Sequence, residues 1–187
     1  MIPGLGQIFH IGYVVPDLLA AMHFWVEQMG IGPFHVQRHG DATGERIEWH
    51  GEHMPADFLV GKSTGDVDIE LIAMNGNFAC PQRDYLDAHP AGGAHHLGLM
   101  VDDFDVAITM PEIRPRLVTI GHHNGIRTAF LEGGAMGTTM LELIETVPAM
   151  REKLAVARAA SSGWDGSNPI RYANAEVEAL VQANARA

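Results

Sequence analysis

Two apolar stretches of this chain begin in the same way. "HIGYVVPDLLAAM" starts at His10 and "HLGLMVDDFDVAI" at His96, and without gaps they share His, Gly, Val, Asp and Ala. A second pair, "FLVGKSTGDVDIELI" (58–72) and "FLEGGAMGTTMLELI" (130–144), agrees at seven of fifteen positions, Glu70/Glu142 and Phe58/Phe130 among them. Two signatures repeated in the same order mark a duplication, and a chain built twice folds as two like units packed on one another. The histidine segments are 86 residues apart and the glutamate segments 72, so the second copy is 14 residues shorter between its signatures.

Each copy reads as βαβββ. "QIFHIGYVV" has no helical period, and Asp17 is a good N-cap for "LLAAMHFWVEQMG", whose Leu18, Met22, Trp25 and Met29 share one face. Gly30 and Gly32-Pro33 stop that helix. "FHVQRHG", "RIEWHG", "ADFLVG" and "VDIELIAM" follow as strands, the last after a Gly65-Asp66 turn. In the second copy "AHHLGLMV" is the first strand, Asp102 or Asp103 caps a helix cut short by Pro111, and "RTAFLEGG" with "TTMLELIE" forms the closing hairpin. The connector "CPQRDYLDAHPAGG" has room for a turn or two of helix. After Pro148 the chain becomes helical in composition, interrupted by "SSGWDGSNP", and packs across the sheet or a partner subunit with Trp164 as anchor; a lid over a pocket is the lesser reading. The expectation is an α+β fold: two tandem βαβββ modules, 1–76 and 77–147 (connector included), in one curved mixed sheet around a metal site. A C-terminal helical tail, 148–187, completes one compact domain.

A net charge of −11 and the lack of any lysine- or arginine-rich cluster exclude nucleic acid as a partner. No apolar run is long enough for a membrane span, and "MIPGLGQIFH" is not a signal peptide. The single cysteine, Cys80, allows no internal disulfide and reads as a small loop residue rather than a nucleophile. A cytoplasmic protein with a small-molecule substrate is the expectation.

Four residues are out of place. Glu70 lies in "VDIELIAM" and Glu142 in "TMLELIE", strands otherwise apolar, and a carboxylate buried there without a partner costs several kcal/mol. His10 and His96 each occupy one face of a first strand. Singly, each reads as an ordinary core or surface residue. As a symmetric pair of pairs they read as ligands, because the two copies can bring them to one point. One divalent cation (Zn, Ni, Co, Mn or Fe) would neutralise both carboxylates and take a nitrogen from each imidazole, with positions left for water or substrate.

Paired βαβββ modules carrying His…Glu…His…Glu resemble the vicinal oxygen chelate superfamily, which includes glyoxalase I, methylmalonyl-CoA epimerase, extradiol dioxygenases and bleomycin-resistance proteins. The resemblance spans roughly 7–146 and rests on "HIGYVVPDL", "IELI", "HHLGLMVDD" and "LELIE"; "GGAHHLGLMVDD" is most similar to the epimerase branch. It implies metal ligation by His10, Glu70, His96 and Glu142, with His96 rather than His95 the ligand of the doublet. It further implies a glyoxalase-type isomerase, epimerase or lyase acting through a metal-stabilised enolate. Glu142 is the implied base and Glu70 the structural ligand; Glu52 is the candidate second acid–base group, with Glu48 or His53 as substitutes. "EIRPRLVTIGHHNG" departs from the family pattern, and few cations are available for coenzyme A phosphates. His122 and His123 either face the pocket or stand exposed; Tyr13, Trp25 and Phe34 are core in preference to cavity lining. An iron-dependent dioxygenase and a non-catalytic small-molecule binder are the alternatives, and the two-copy symmetry favours a homodimer.

Overall fold

The computed structural model describes residues 5–123, 125–134 and 139–185. Both modules start with a strand that turns through an aspartate into a helix. β1 (Leu5–Val14) leads to α1 (Leu18–Met29), where the Asp17 carboxylate accepts from the Ala20 N–H at 2.9 Å. β7 (Gly93–Val101) leads to α3 (Phe104–Thr109), where Asp103 accepts from the Val106 N–H at 3.0 Å. α1 ends on Gly30 in the left-handed region, and α3 stops just before Pro111. Leu18 and Met22 are buried and Trp25 packs against the core, whereas Met29, expected on that face, is 53% exposed in the helix's last turn.

The first module continues with β2 (Phe34–Gly40), β3 (Arg46–Trp49), β4 (Glu52–His53), β5 (Asp57–Ser63) and β6 (Asp68–Met74). The second continues with β8 (Leu117–His123), β9 (Ile126–Leu131) and β10 (Met140–Glu145). α2 (Pro81–Ala88) lies in the connector. Cys80 caps it, accepting from the Arg83 N–H, and is fully buried, which pushes its thiol up to about 11. With β11 (Ile170–Tyr172) from the tail, the described strands join one sheet in the order β11-β2-β5-β6-β1-β7-β10-β9-β8-β3-β4. The centre is antiparallel, β1 against β7, and each of these pairs in parallel with the last strand of its own half, β6 or β10.

Two features depart from the sequence reading. "RIEWHG" does form strand, but β3 pairs with β8 at the far edge of the other half, so the arm 41–56 crosses the molecule. Its Ile47 and Trp49 then pack with Met54, Phe58 and Ile72. The gap-free match of 58–72 with 130–144 also fails in part. Lys62 stands opposite Glu70, while Phe130 stands opposite Glu142. The counterpart of Phe130 is therefore Lys62 and not Phe58, a slip of four residues. The connection between β9 and β10 is longer, and ladder register, not residue identity, sets the equivalence.

Alternation divides the core by face. Phe34, Val36, Leu59, Leu71 and Ala73 point to the convex side and bury α1; Leu99, Val101, Ala129 and Leu143 do the same under α3. Phe34, Tyr13 and Trp25 all belong to the convex core. The tail consists of α4 (Pro148–Ser162), β11 (Ile170–Tyr172) and α5 (Ala175–Asn184). α5 inserts Val177 and Val181 into the α1 core, and β11, unforeseen from the sequence, adds a strand parallel to β2. Trp164 lies over Gly32, so closely that a Cβ there would meet its ring at 2.7 Å. α4 crosses the opposite, concave face, fastened by Arg158 donating to the Gly65 carbonyl at 3.0 Å. Among the described residues no helix is long and apolar enough to cross a membrane.

Asp57 at the start of β5 holds together three parts of this arrangement. It accepts from Arg38 Nε and one terminal nitrogen, both at 2.8 Å, and from the Asn75 amide at 2.7 Å, while Arg38 also reaches Glu176 of α5. Burial would raise the Asp57 carboxyl, but the Arg38 and Asn75 hydrogen bonds outweigh it and hold it below the ordinary value. A depressed carboxyl stabilises the fold above its unfolded pKa, near 4, and that stability disappears as pH falls through the lower folded value. Asp57→Asn is expected to cost about 1–3 kcal/mol near neutrality. In urea titrations the gap from the native protein should close below about pH 4.

Candidate metal centre

The β1–β7 seam makes the site. In its antiparallel register His10 stands opposite Gly98, and Gly12 opposite His96. Each imidazole lies across the partner strand's glycine: a Cβ on Gly98 would overlap the His10 ring, and one on Gly12 the His96 ring. The parallel neighbours then bring Glu70 beside Gly12 and Glu142 beside Gly98. All four side chains thereby reach one point on the concave face.

One ligand atom from each residue lies within 4.8 Å of all the others. His96 Nε2 is 3.0 Å from His10 Nε2 and 3.2 Å from Glu70 Oε2. Glu142 Oε2 is 3.1 Å from His10 Nε2 and 3.5 Å from His96 Nε2. Donor atoms that share an ion at about 2.0–2.2 Å stand about 3–3.5 Å apart, so these separations fit a single first-row divalent cation. Both histidines are completely buried, and Glu142 Oε2 has no directed hydrogen bond. A buried carboxylate oxygen without a partner is costly, and an ion is the partner that this donor set suits.

The electrostatics agree. Burial alone would raise Glu142, but the imidazoles of His10 and His96, 3.1 and 3.5 Å from its Oε2, hold it at about 2. For Glu70, burial is overridden by the charge of Lys62, then by His10 and His96, leaving it well below the usual carboxylate range. Burial pulls His96 down, yet the Glu142 and Glu70 carboxylates beside it lift it to about 9. Two carboxylates thus stay ionised inside the fold and demand positive charge, from protons or from a metal.

Sequence reasoning missed three neighbours. Lys62 Nζ is 3.6 Å from Glu70. Phe130 meets the His96 ring edge-on at 4.9 Å. His95, buried, places its Nδ1 3.1 Å from His96 Nδ1. Lys62 and Phe130 are visible only through ladder register; the doublet "HH" was the signal for His95. Glu52 lies outside the cluster, exposed on β4, paired with Trp49 and so facing the concave side. Glu48 and His53 occupy the other face, near Arg46 (3.4 Å) and Asp41 (3.3 Å). His122 is exposed, and the side chain of His123 lies outside the described residues.

A cavity of about 740 Å³ opens beside Glu70. β2, β5 and β11 line it with His35, Gln37, Lys62 and Arg171, and α4 closes the opposite wall with Val156 and Ala160. On the other side of the cluster Val14, Met54, Phe58, Ile72 and Met74 fill the concavity. Since no side chain fits between the seam glycines and the rings, Gly98→Ala is expected to displace His10 and cost about 1–3 kcal/mol by overpacking. Thermal melting of the variant checks it, and an unchanged melting temperature would contradict the seam geometry.

Residues 9–130 match the family model described as Glyoxalase/Bleomycin resistance protein/Dioxygenase superfamily. His10, Glu70 and His96 fall inside the match and Glu142 just beyond it. Among curated proteins, the chain is 28% identical over 147 residues to "Methylmalonyl-CoA epimerase, mitochondrial" of Bos taurus, covering 74% of each chain. It is 27% identical over 128 residues to the "2-epi-5-epi-valiolone epimerase" of an Actinomyces species, covering 64% of this chain and 65% of that one. The crystal structure of methylmalonyl-CoA epimerase from Mycobacterium tuberculosis shares the fold, with a TM-score of 0.55 and 21% identity over 80% of this chain and 91% of that one. By the extent of the family match, this chain belongs to the glyoxalase/bleomycin resistance protein/dioxygenase superfamily.

Proposed function

We propose that the protein is a divalent-metal-dependent epimerase or isomerase that moves a proton next to a carbonyl of a small substrate held in the cavity beside Glu70. One observation carries the reading: two imidazoles and two carboxylates, drawn equally from both halves, converge within 4.8 Å at the edge of that cavity. Both curated relatives bear the name epimerase, which favours epimerisation over a lyase reaction.

His10, Glu70, His96 and Glu142 would hold the ion. When bound, it supplies Lewis acidity, drawing charge from adjacent substrate oxygens and stabilising the enolate that proton removal creates. The protein's own groups do the rest. Glu142 is the proposed base, since it is ionised and its Oε2 lacks a directed hydrogen bond. Glu70, tied to Lys62 and His96, is the anchoring ligand. Val156 and Ala160 of α4 give the cavity one apolar wall. The cations lining the cavity are Lys62, already facing Glu70, and Arg171. That is little positive charge for the phosphates of a coenzyme A thioester, and it suits a small oxygen-rich molecule with at most one acidic group.

Inversion at carbon needs a proton delivered to the opposite face, so a second group must act with Glu142. Glu52 is the proposed one. Its concave orientation supports the role, and its exposed place at the sheet edge requires that substrate bring it near.

Protein stripped by a chelator and reloaded with cobalt, nickel or manganese is expected to regain deuterium exchange into 2-oxo acids, hydroxyketones or thioesters in heavy water, followed by NMR. Glu142→Gln should slow that exchange by about 10²-fold or more, with metal content measured alongside to separate loss of the ion from loss of the base. Oxygen uptake with a catechol in place of exchange would instead establish a dioxygenase, and neither activity with any of these compounds would favour a binder. Glu52→Gln should preserve exchange while abolishing epimerisation; undiminished epimerisation would remove Glu52 from the reaction.

A further inference from the structure

The two halves orient their imidazoles differently. Just before the histidine the first half has Phe9 and the second His95. Phe9 meets the His10 ring edge-on, 4.6 Å between centroids, and offers it no hydrogen bond. His10 Nδ1 is accordingly buried without a partner among the described residues. His96 Nδ1 faces His95 Nδ1 at 3.1 Å, with both rings buried.

A neutral imidazole can present a lone pair at Nε2 only when its proton sits on Nδ1, and that proton needs an acceptor. His96 Nε2 points into the cluster, 3.2 Å from Glu70, and with a cation held there it must present its lone pair, so the proton belongs on its other nitrogen. The acceptor in reach is His95 Nδ1, which accepts only if the His95 proton sits on Nε2. The His95 ring is itself held edge-on by Tyr85 at 5.1 Å and inclined against Phe130 at 5.8 Å. The Tyr85 hydroxyl is engaged elsewhere, donating to the Ala94 carbonyl at 3.0 Å.

We propose that His95 is a positioning residue: it locks His96 in the Nδ1-protonated tautomer and so aims the His96 Nε2 lone pair at a divalent cation shared with His10, Glu70 and Glu142. This rests on the metal reading above. It also makes the halves unequal, with the second half's imidazole held at Nδ1 by a hydrogen bond and the first half's Nδ1 packed without one.

The test uses the full chain with His95→Phe and His95→Asn. Phenylalanine already occupies the matching place in the first half, so His95→Phe has a precedent for folding, and the Asn Oδ1 can stand in for the Nδ1 acceptor. Competition against a chelator with Co²⁺ is expected to show affinity reduced about 10–100-fold in His95→Phe and largely recovered in His95→Asn. In the zinc-loaded native protein, ¹⁵N NMR of the histidine side chains should find the His96 proton on Nδ1 and the His95 proton on Nε2. Native-like affinity in His95→Phe, no recovery in His95→Asn, or the opposite tautomers would overturn the proposal; should His95→Phe fail to fold, the NMR result and His95→Asn decide. A native protein that takes up no divalent ion would overturn the metal reading itself, an outcome that does not depend on His95.

Discussion

Two ionised carboxylates buried against two imidazoles are the constraint from which the rest of this molecule follows. An unpaired carboxylate in such surroundings costs several kcal/mol, and Glu70 and Glu142 stand one strand to either side of the antiparallel β1–β7 seam. The fold tolerates them because the seam register sets His10 over Gly98 and His96 over Gly12, filling with imidazole the space that a side chain would take. A slip of one residue would turn these side chains to the convex side, where Leu71, Leu99 and Leu143 already bury the helices.

Around that symmetric centre the halves have diverged. Where the first half sets Lys62 opposite its glutamate, the second sets Phe130, so Glu70 gains a cation and Glu142 an aromatic neighbour. Where the first has Phe9, the second has His95. The arm carrying β3 and β4 closes the concavity on one side and the C-terminal α4 walls it on the other. The cavity opens beside Glu70, between strands β2 and β5 of the first half and the tail elements β11 and α4.

The four clustered residues were legible because strand alternation makes a glutamate among isoleucines and leucines conspicuous, and its recurrence made coincidence a poor account. Both helix starts were legible for a similar reason, since Asp17 and Asp103 are local caps that need no distant partner. The match of Phe58 with Phe130 misled, because a hairpin's register depends on the length of its connection as well as on its residues. Glu52 was selected by sequence position alone, and the crossing of β3 to β8 put it at an edge strand, exposed though on the concave face.

By itself the sequence determined that the chain is built from two like copies, which side chains are chemically out of place in their strands, and where the helix of each copy begins. These are local properties of pattern and cap. Only the tertiary structure decided which strands lie side by side, that Lys62, His95 and Phe130 surround the cluster, and that α4 faces it across a cavity. Those depend on ladder register and on contacts between distant segments, which the free energy of the whole packed sheet selects and no short window of residues encodes.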